Sequence, residues 1–246
     1  MKADPADQRR LLDLQQADTA VTQLTHRRTR LPETAEIAKL RGEVDALAGR
    51  QAEHDAGASD LARDIDRVER EIEQVRARAE RDRQRQTDGG ATPKELEGLT
   101  HELETLARRQ SELEDQELEL MERRETSVAA AAEAGEELER KREQLADAQE
   151  REAAALSDID SELDKQRAAH QAVAAELPED LVKLYEKIRG GNHPIAAALL
   201  LRRRCESCRI EASGGELAEL RAAAPEDVVR CENCRSILVR TEESGL

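Results

Sequence analysis

Aromatic side chains are almost missing from this chain: in 246 residues there is one tyrosine, Tyr185, and neither Phe nor Trp. Large aromatic and aliphatic side chains fill the core of an ordinary globular domain, so one large core is excluded at this length. Long apolar runs are missing too. The longest, Ile195 to Leu201, is seven residues, against the roughly 20 needed for a membrane-spanning helix. The opening segment MKADPADQRR has no hydrophobic signal region, which predicts a cytoplasmic protein with no membrane partner. No G-x-S-x-G, phosphate-binding glycine loop or H-E-x-x-H occurs, so no enzyme is expected.

Charge and helix formers are what the chain has in quantity. It carries 39 Lys and Arg against 55 Asp and Glu, a formal net charge of −16, with as many charged as hydrophobic residues, 38% each. Such a composition also suits disorder, but here the apolar residues are periodic. Ile37, Leu40, Val44, Leu47, Gln51, His54, Ala58, Leu61, Ile65, Val68, Ile72, Val75 and Ala79 alternate at spacings of three and four, the a and d positions of a coiled coil. A second arm answers with Leu96, Leu99, Leu103, Leu106, Gln110, Leu113, Glu117 and Leu120. Its later frame runs through Leu156, Ile159, Leu163, Gln166, His170, Val173 and Leu177. The first frame would place Glu152 where the later one starts at Leu156, a four-residue stutter.

Punctuation divides the arms. Asp4-Pro5 and Thr92-Pro93-Lys94-Glu95 are helix starts, the second a capping box, and Gly89-Gly90 marks a turn at 87–92. Residues 1–177 therefore read as a long antiparallel coiled-coil hairpin of two nearly equal arms, interrupted at Pro32 so that its base is a separate helix, Pro5 to Leu31. Gln51 and His54 weaken the seam or set its register. Residues 178–246 read as a small α/β unit: a leading helix Glu179 to Arg189, a strand Ile195 to Leu201, a helix capped by Ser213, and short strands at Val228-Val229 and Ile237-Leu238-Val239. The fold class is mainly α, a hairpin followed by a small α/β tail.

So small a tail needs a staple. The four cysteines occur only there, as Cys205, Cys208, Cys231 and Cys234, two C-x-x-C pairs with 22 residues between them. In a reducing compartment such pairs read as metal ligands before disulfides. Two knuckles presenting four thiolates form the tetrahedral set that one structural Zn²⁺ prefers. Neither pair opens a helix after a strand, as a redox dithiol would.

The glycine turn followed by Thr92-Pro93-Lys94-Glu95-Leu96, the run Leu184-Tyr185-Glu186-Lys187-Ile188-Arg189, and the C-x-x-C pairs with Val229-Arg230-Cys231-Glu232-Asn233-Cys234 and Ile237-Leu238 together resemble the bacterial coiled-coil proteins with a C-terminal C4-type zinc ribbon. The resemblance covers nearly the whole chain. It implies a helical hairpin joined to a zinc ribbon, with the four cysteines as zinc ligands, and the family is associated with nucleic-acid binding. Flagellar and secretion-linked relatives act as chaperones or adaptors for a sigma factor or export components, and one is linked to RNA. This chain departs from the pattern at Arg209 and Arg235, where such knuckles carry glycine after the second cysteine. A positive φ at those positions costs an arginine roughly 1 kcal/mol or more.

Charge is unevenly spread. Residues 1–177 hold 28 basic and 43 acidic side chains and residues 178–246 hold 11 and 12. Arg202, Arg203, Arg204, Arg209, Arg230 and Arg235 crowd the cysteines, with Arg221 and Arg240 in the same tail. Some compensate the charge of a four-thiolate zinc centre, and as a cluster they are candidate phosphate contacts, although RNA and DNA binders generally add aromatic stacking platforms. A second basic run, Arg76 to Arg85, faces Glu95, Glu97, Glu102 and Glu104 near the tip, where interhelical ion pairing is expected. His26, His54, His101, His170 and His193 are scattered and read as solvated or packed residues.

The expected function is that of a non-enzymatic cytoplasmic adaptor or chaperone, monomeric, whose hairpin binds a partner protein, such as a component of transcription or secretion machinery, and whose ribbon is a recognition head. The alternative is an RNA- or DNA-binding regulator acting through the ribbon arginines. A secondary-channel regulator of RNA polymerase needs paired carboxylates at the tip, and this turn offers Asp88 alone.

Overall fold

The computed structural model describes residues 1–191 and 194–246; His193, which borders the ribbon in sequence, lies outside them. The elements are α1 (Pro5–Arg28), α2 (Pro32–Thr87), α3 (Pro93–Glu176), α4 (Glu179–Arg189), β1 (Ala197–Leu201), β2 (Arg204–Cys205), α5 (Gly214–Ala222), β3 (Val229–Arg230) and β4 (Ile237–Val239), closed by a 3-10 turn at Glu242–Ser244. Each proline-marked start is used. The Asp4 side chain accepts from the Ala6 N–H at 2.7 Å ahead of Pro5, and Pro32 opens α2 after a break at Thr29–Leu31, so it separates two helices instead of bending one. In the capping box the Thr92 N–H donates to Glu95 Oε2 at 2.7 Å and the Glu95 N–H to Thr92 Oγ1 at 3.4 Å. The Thr92 backbone and hydroxyl bonds hold the Glu95 carboxyl below its ordinary range.

The chain forms two compact units, residues 35–149 and residues 1–34 with 150–246. The boundary at 177/178, where the heptads stop, lies inside the second of these. Within 35–149, α2 and α3 run antiparallel along an apolar seam. Ile37 and Leu40 pack with Ala148 and Leu145, and Val68 and Ile72 with Leu113, Val75 and Leu120. Lys141 pairs with Glu43 at 2.7 Å, Arg109 with Glu71 at 3.3 Å, Arg76 with Glu114 at 2.7 Å, and Arg78 with Glu102. Arg83 and Arg85 pair within α2, to Glu80 and Asp82. These exposed pairs are each worth 0–1 kcal/mol, so the seam carries the stability. At the polar layer Gln51 is seated against Gly135, where a β-carbon would come within 2.9 Å of its Nε2. The glycine makes the room that the glutamine takes.

In the other unit the tail is built into the base of the arms. β1 pairs parallel with β4 and antiparallel with β2, and β3 pairs antiparallel with β4, giving the order β2-β1-β4-β3. Alternation along β1 and β4 splits their side chains between two cores. Ala197 and Ile237 join Leu11 and Leu14 of α1, Leu177, and Leu181, Tyr185 and Ile188 of α4. Ala198, Leu200 and Leu238 join Leu220 of α5 and the cysteines. Farther along α1, Val21 and Leu24 pack with Leu31, Ile159 and Leu163. The stutter lies beside this cluster, and Glu152 accepts from Thr34 Oγ1 at 2.6 Å.

Two buried glutamines of α1 act as backbone partners for the tail. Gln8 Nε2 donates to the carbonyls of Ala3 at 2.9 Å and Pro225 at 3.1 Å, and Gln15 Oε1 accepts from the N–H of Ala196 at 2.6 Å and Ala197 at 3.3 Å. Buried peptide groups left unpaired would each cost about 1–3 kcal/mol. The Ala3 N–H bonds to Glu226 O at 2.8 Å and the Val228 N–H to Met1 O at 3.0 Å.

Candidate metal centre and its surroundings

The two C-x-x-C segments fold identically. In the first, the Arg209 N–H donates to Cys205 O at 2.7 Å and the Cys205 N–H to Ile210 O at 3.1 Å; in the second, the Arg235 N–H donates to Cys231 O at 2.9 Å and the Cys231 N–H to Ser236 O at 3.0 Å. Sγ of Cys205 lies 3.7 Å from that of Cys234, and Sγ of Cys208 3.8 Å from that of Cys231. All four sulfurs fall within 4.8 Å of one another. Four thiolates about 2.3 Å from a zinc ion in a tetrahedron stand about 3.8 Å apart, so the donor set fits one structural Zn²⁺. A shell of four thiolates has no open position for a substrate or water.

Neighbouring backbone and hydroxyl groups prepare the sulfurs unequally. Burial pushes the Cys205 and Cys231 thiols up, against N–H donors from Ser207 and Cys208 to the first and from Asn233 and Cys234 to the second. Burial would raise Cys234 as well, but the Ser236 side chain and backbone and the Ser207 hydroxyl outweigh it and bring that thiol down to about 6. Ser236 is itself anchored, donating to Ile195 O at 2.6 Å. Metal binding must displace protons from the raised thiols, so zinc affinity falls with acid.

The arginine after each knuckle does adopt a left-handed backbone, with φ of 60° at Arg209 and 66° at Arg235. Arg202 and Arg203, at φ of 46° and 67°, are the two central residues of the β1–β2 hairpin, whose flanking pair is Leu201 and Arg204. Such a turn normally carries Asn-Gly. All four left-handed non-glycine residues are thus arginines among the described residues. Bonds from the Arg202 and Arg203 N–H groups to Glu243 O and Ser244 O, at 2.9 and 2.8 Å, fasten the hairpin turn to the chain's last residues. Replacing Arg209 or Arg235 by glycine should raise the stability of the zinc-loaded protein by about 1 kcal/mol each, a gain of roughly 2–4 °C in a thermal melt. An unchanged or lower melting temperature would show that no strain is stored there.

The six candidate arginines are held by different local contacts. Arg230 and Arg235 are joined by a bond from Arg230 Nε to Arg235 O at 2.8 Å, and with Lys187, Asn233 and an apolar floor of Leu184 and Ile188 they line a cleft of about 440 Å³ beside Cys234. Arg202 and Arg203 belong to the hairpin turn, Arg209 sits on the first knuckle, and Arg204 is drawn to Glu206 at 3.4 Å. Arg240 is consumed structurally, donating to the carbonyls of Leu220, Ala223, Ala224, Pro225 and Asp227 past the end of α5.

A second polar cluster joins α1, α3 and α4. Asp18, only 3% exposed, accepts from the Tyr185 hydroxyl at 2.6 Å and pairs with Arg189 at 3.0 Å. His170 Nε2 stands 3.5 Å from Asp18 and 3.3 Å from Glu186. Asp18, His170 and Glu186 offer three ligand-type atoms close together, but the Arg189 guanidinium already serves the same Asp18 oxygen that a cation would take. Burial, and then the bond to Asp18, push the Tyr185 phenol well above its ordinary range, so it is a permanent donor. The cluster is an ion-paired lock between three helices. Asp18 lies more than 150 residues before the others, and in the sequence His170 reads only as a packed seam residue.

The model of the CT398-like coiled coil hairpin domain matches residues 14–193, and that of the C4-type zinc ribbon domain matches residues 204–238. The chain belongs to the CT398-like coiled-coil hairpin family. An uncharacterized protein of Mycobacterium tuberculosis, Rv2229c, is 41% identical to this CT398-like protein over 242 residues, 98% of either chain. The uncharacterized ML1638 of Mycobacterium leprae is 28% identical over 214 residues, 87% of this chain and 91% of its own. A solved structure from Mycobacterium smegmatis superposes with a TM-score of 0.84 at 37% identity, covering 98% of this chain and 100% of that one. CT398 of Chlamydia trachomatis, at 18% identity and a TM-score of 0.66 over 95% of this chain and 97% of its own, shares the fold. Among the described residues of this CT398-like protein, no helix is long and apolar enough to cross a membrane.

Proposed function

We propose that this protein is a non-enzymatic cytoplasmic adaptor or chaperone, whose hairpin binds a partner protein and whose zinc ribbon is a fixed recognition head. The observation that carries this reading is the placement of the four metal ligands. They form the centre of a small core that includes Ala198, Leu200, Leu220 and Leu238, and their closed shell leaves the metal nothing to do but hold the ribbon. The second reading is an RNA- or DNA-binding regulator. It is favoured by the Lys187, Arg230 and Arg235 cleft and by the left-handed arginines around the cysteines, since strain concentrates at functional positions.

A tagged pull-down from cytoplasmic lysate, with and without nuclease, separates the two. The adaptor reading expects a protein partner that survives nuclease and high salt. RNA or DNA whose removal empties the complex, bound with steep salt dependence and lost when Arg230 and Arg235 are changed together to alanine, would replace it with the regulator.

A further inference from the structure

Three of the large apolar side chains left exposed lie on one stripe of α3: Leu118 at 59%, Met121 at 50% and Val128 at 49%. Successive separations of three and seven residues put them on one helix face. That face lies one position beyond Leu120, which packs in the hairpin seam. With Glu122, Arg124 and Glu125 they line a shallow groove of about 460 Å³. Glu122 and Glu125 line the groove beside Arg124, Glu117 lies four residues before Met121 at its edge, and none of these three carboxylates has an ion-pair or hydrogen-bond partner among the described residues.

An apolar stripe spaced at three and seven residues accepts the matching face of another helix. The unneutralised acids beside it select for Lys or Arg on that helix's flanks. A second copy of this chain would bring the same rim of acids against itself on a molecule of net charge −16. We propose that the Leu118–Met121–Val128 face docks a cationic amphipathic helix of a partner protein. This rests on the adaptor reading and names the chemistry of its partner.

The test uses the full-length zinc-loaded protein and a synthetic helical peptide with Leu at its a and d positions and Lys on its flanks. A peptide of the same composition, scrambled to scatter the leucines, is the control. The variant Leu118→Gln, Met121→Gln, Val128→Gln keeps every charge and a good helix former at each position, and its far-UV spectrum reports whether it is folded. The patterned peptide should bind, more weakly in high salt, and lose at least about ten-fold in affinity both in the variant and on scrambling. A second variant, Glu117→Gln, Glu122→Gln, Glu125→Gln, should bind more weakly and with less salt dependence. No binding, equal binding of both peptides, or unchanged affinity in the first variant would overturn the proposal. So would a dimer in sedimentation equilibrium that this variant dissolves. If the variant still captures the partner in the lysate pull-down, the stripe fails and the adaptor reading stands; if the unaltered protein captures none, the adaptor reading itself fails.

Discussion

Changing Cys231 to serine is expected to take the protein from one zinc ion per chain to none, to unfold the ribbon, and to leave most of the helical signal in place. Structural zinc in C4-type and related sites contributes about 10–16 kcal/mol of apparent binding free energy, which in a small domain is folding free energy. Cys231 is buried in the core that holds Leu200, Leu220 and Leu238, and without metal a group of free thiols leaves that core too small to close. The damage should spread, because β1 and β4 also contribute Ala197 and Ile237 to the cluster with Leu11, Leu14 and Tyr185. Residues 35–149 keep seams of their own. Tyr185 is the chain's one aromatic residue, so its fluorescence reports the base of the arms without interference. The expected result is loss of zinc, a changed Tyr185 signal, protease-sensitive residues at both chain ends, and a far-UV spectrum still dominated by helix. Loss of most helicity with the zinc would show that the seams of 35–149 do not stand without the ribbon.

Asp18→Ala should be the most damaging substitution away from the metal, destabilising the protein by about 2–3 kcal/mol, or roughly 5–10 °C in a thermal melt. Asp18 is buried and takes both the Tyr185 hydroxyl and the Arg189 guanidinium. Its removal leaves the Tyr185 hydroxyl with Gln15 Oε1 at 3.3 Å as its remaining acceptor and the half-buried Arg189 guanidinium with Glu186 at 3.5 Å, so the loss is that of two charge-assisted bonds. Tyr185→Phe, which removes a donor and keeps the ring, should cost only about 1–2 kcal/mol. Equal losses in the two variants, or a loss under 1 kcal/mol for Asp18→Ala, would show that the Asp18–Arg189 pair holds nothing together.

The hairpin was readable because its signals are local. The heptads fall where the seam runs, Gly89 takes φ of +71° in the turn, and Thr92 and Glu95 form the reciprocal cap their spacing predicts. The metal ligands were readable for the same reason: each knuckle is five consecutive residues. The docking of α1 onto the tail was not. Its agents are Gln8 and Gln15, which look like solvent-facing residues of an amphipathic helix and turn inward because the β1 and Pro225 segments offer them peptide groups. The parallel pairing of β1 with β4 has no local signature, and the Arg202-Arg203 turn carries none of the residues that announce such a turn. The Asp18 cluster depends on three segments meeting, which no one-dimensional pattern displays.

The pairing of Lys2 with Asp227, and of Ala3 with Glu226, carries a consequence for how the chain comes off the ribosome. The Gly89 turn and its flanking arms can zip from contacts near in sequence, which form fast. The first helix must wait, because the surfaces that bury Leu11 and Leu14 include residues as late as Ile237. Until the final knuckle has emerged and taken up its metal, the earliest-made helix is a guest without a host. Its exposed leucines are then the part of the nascent chain most in need of a holding chaperone.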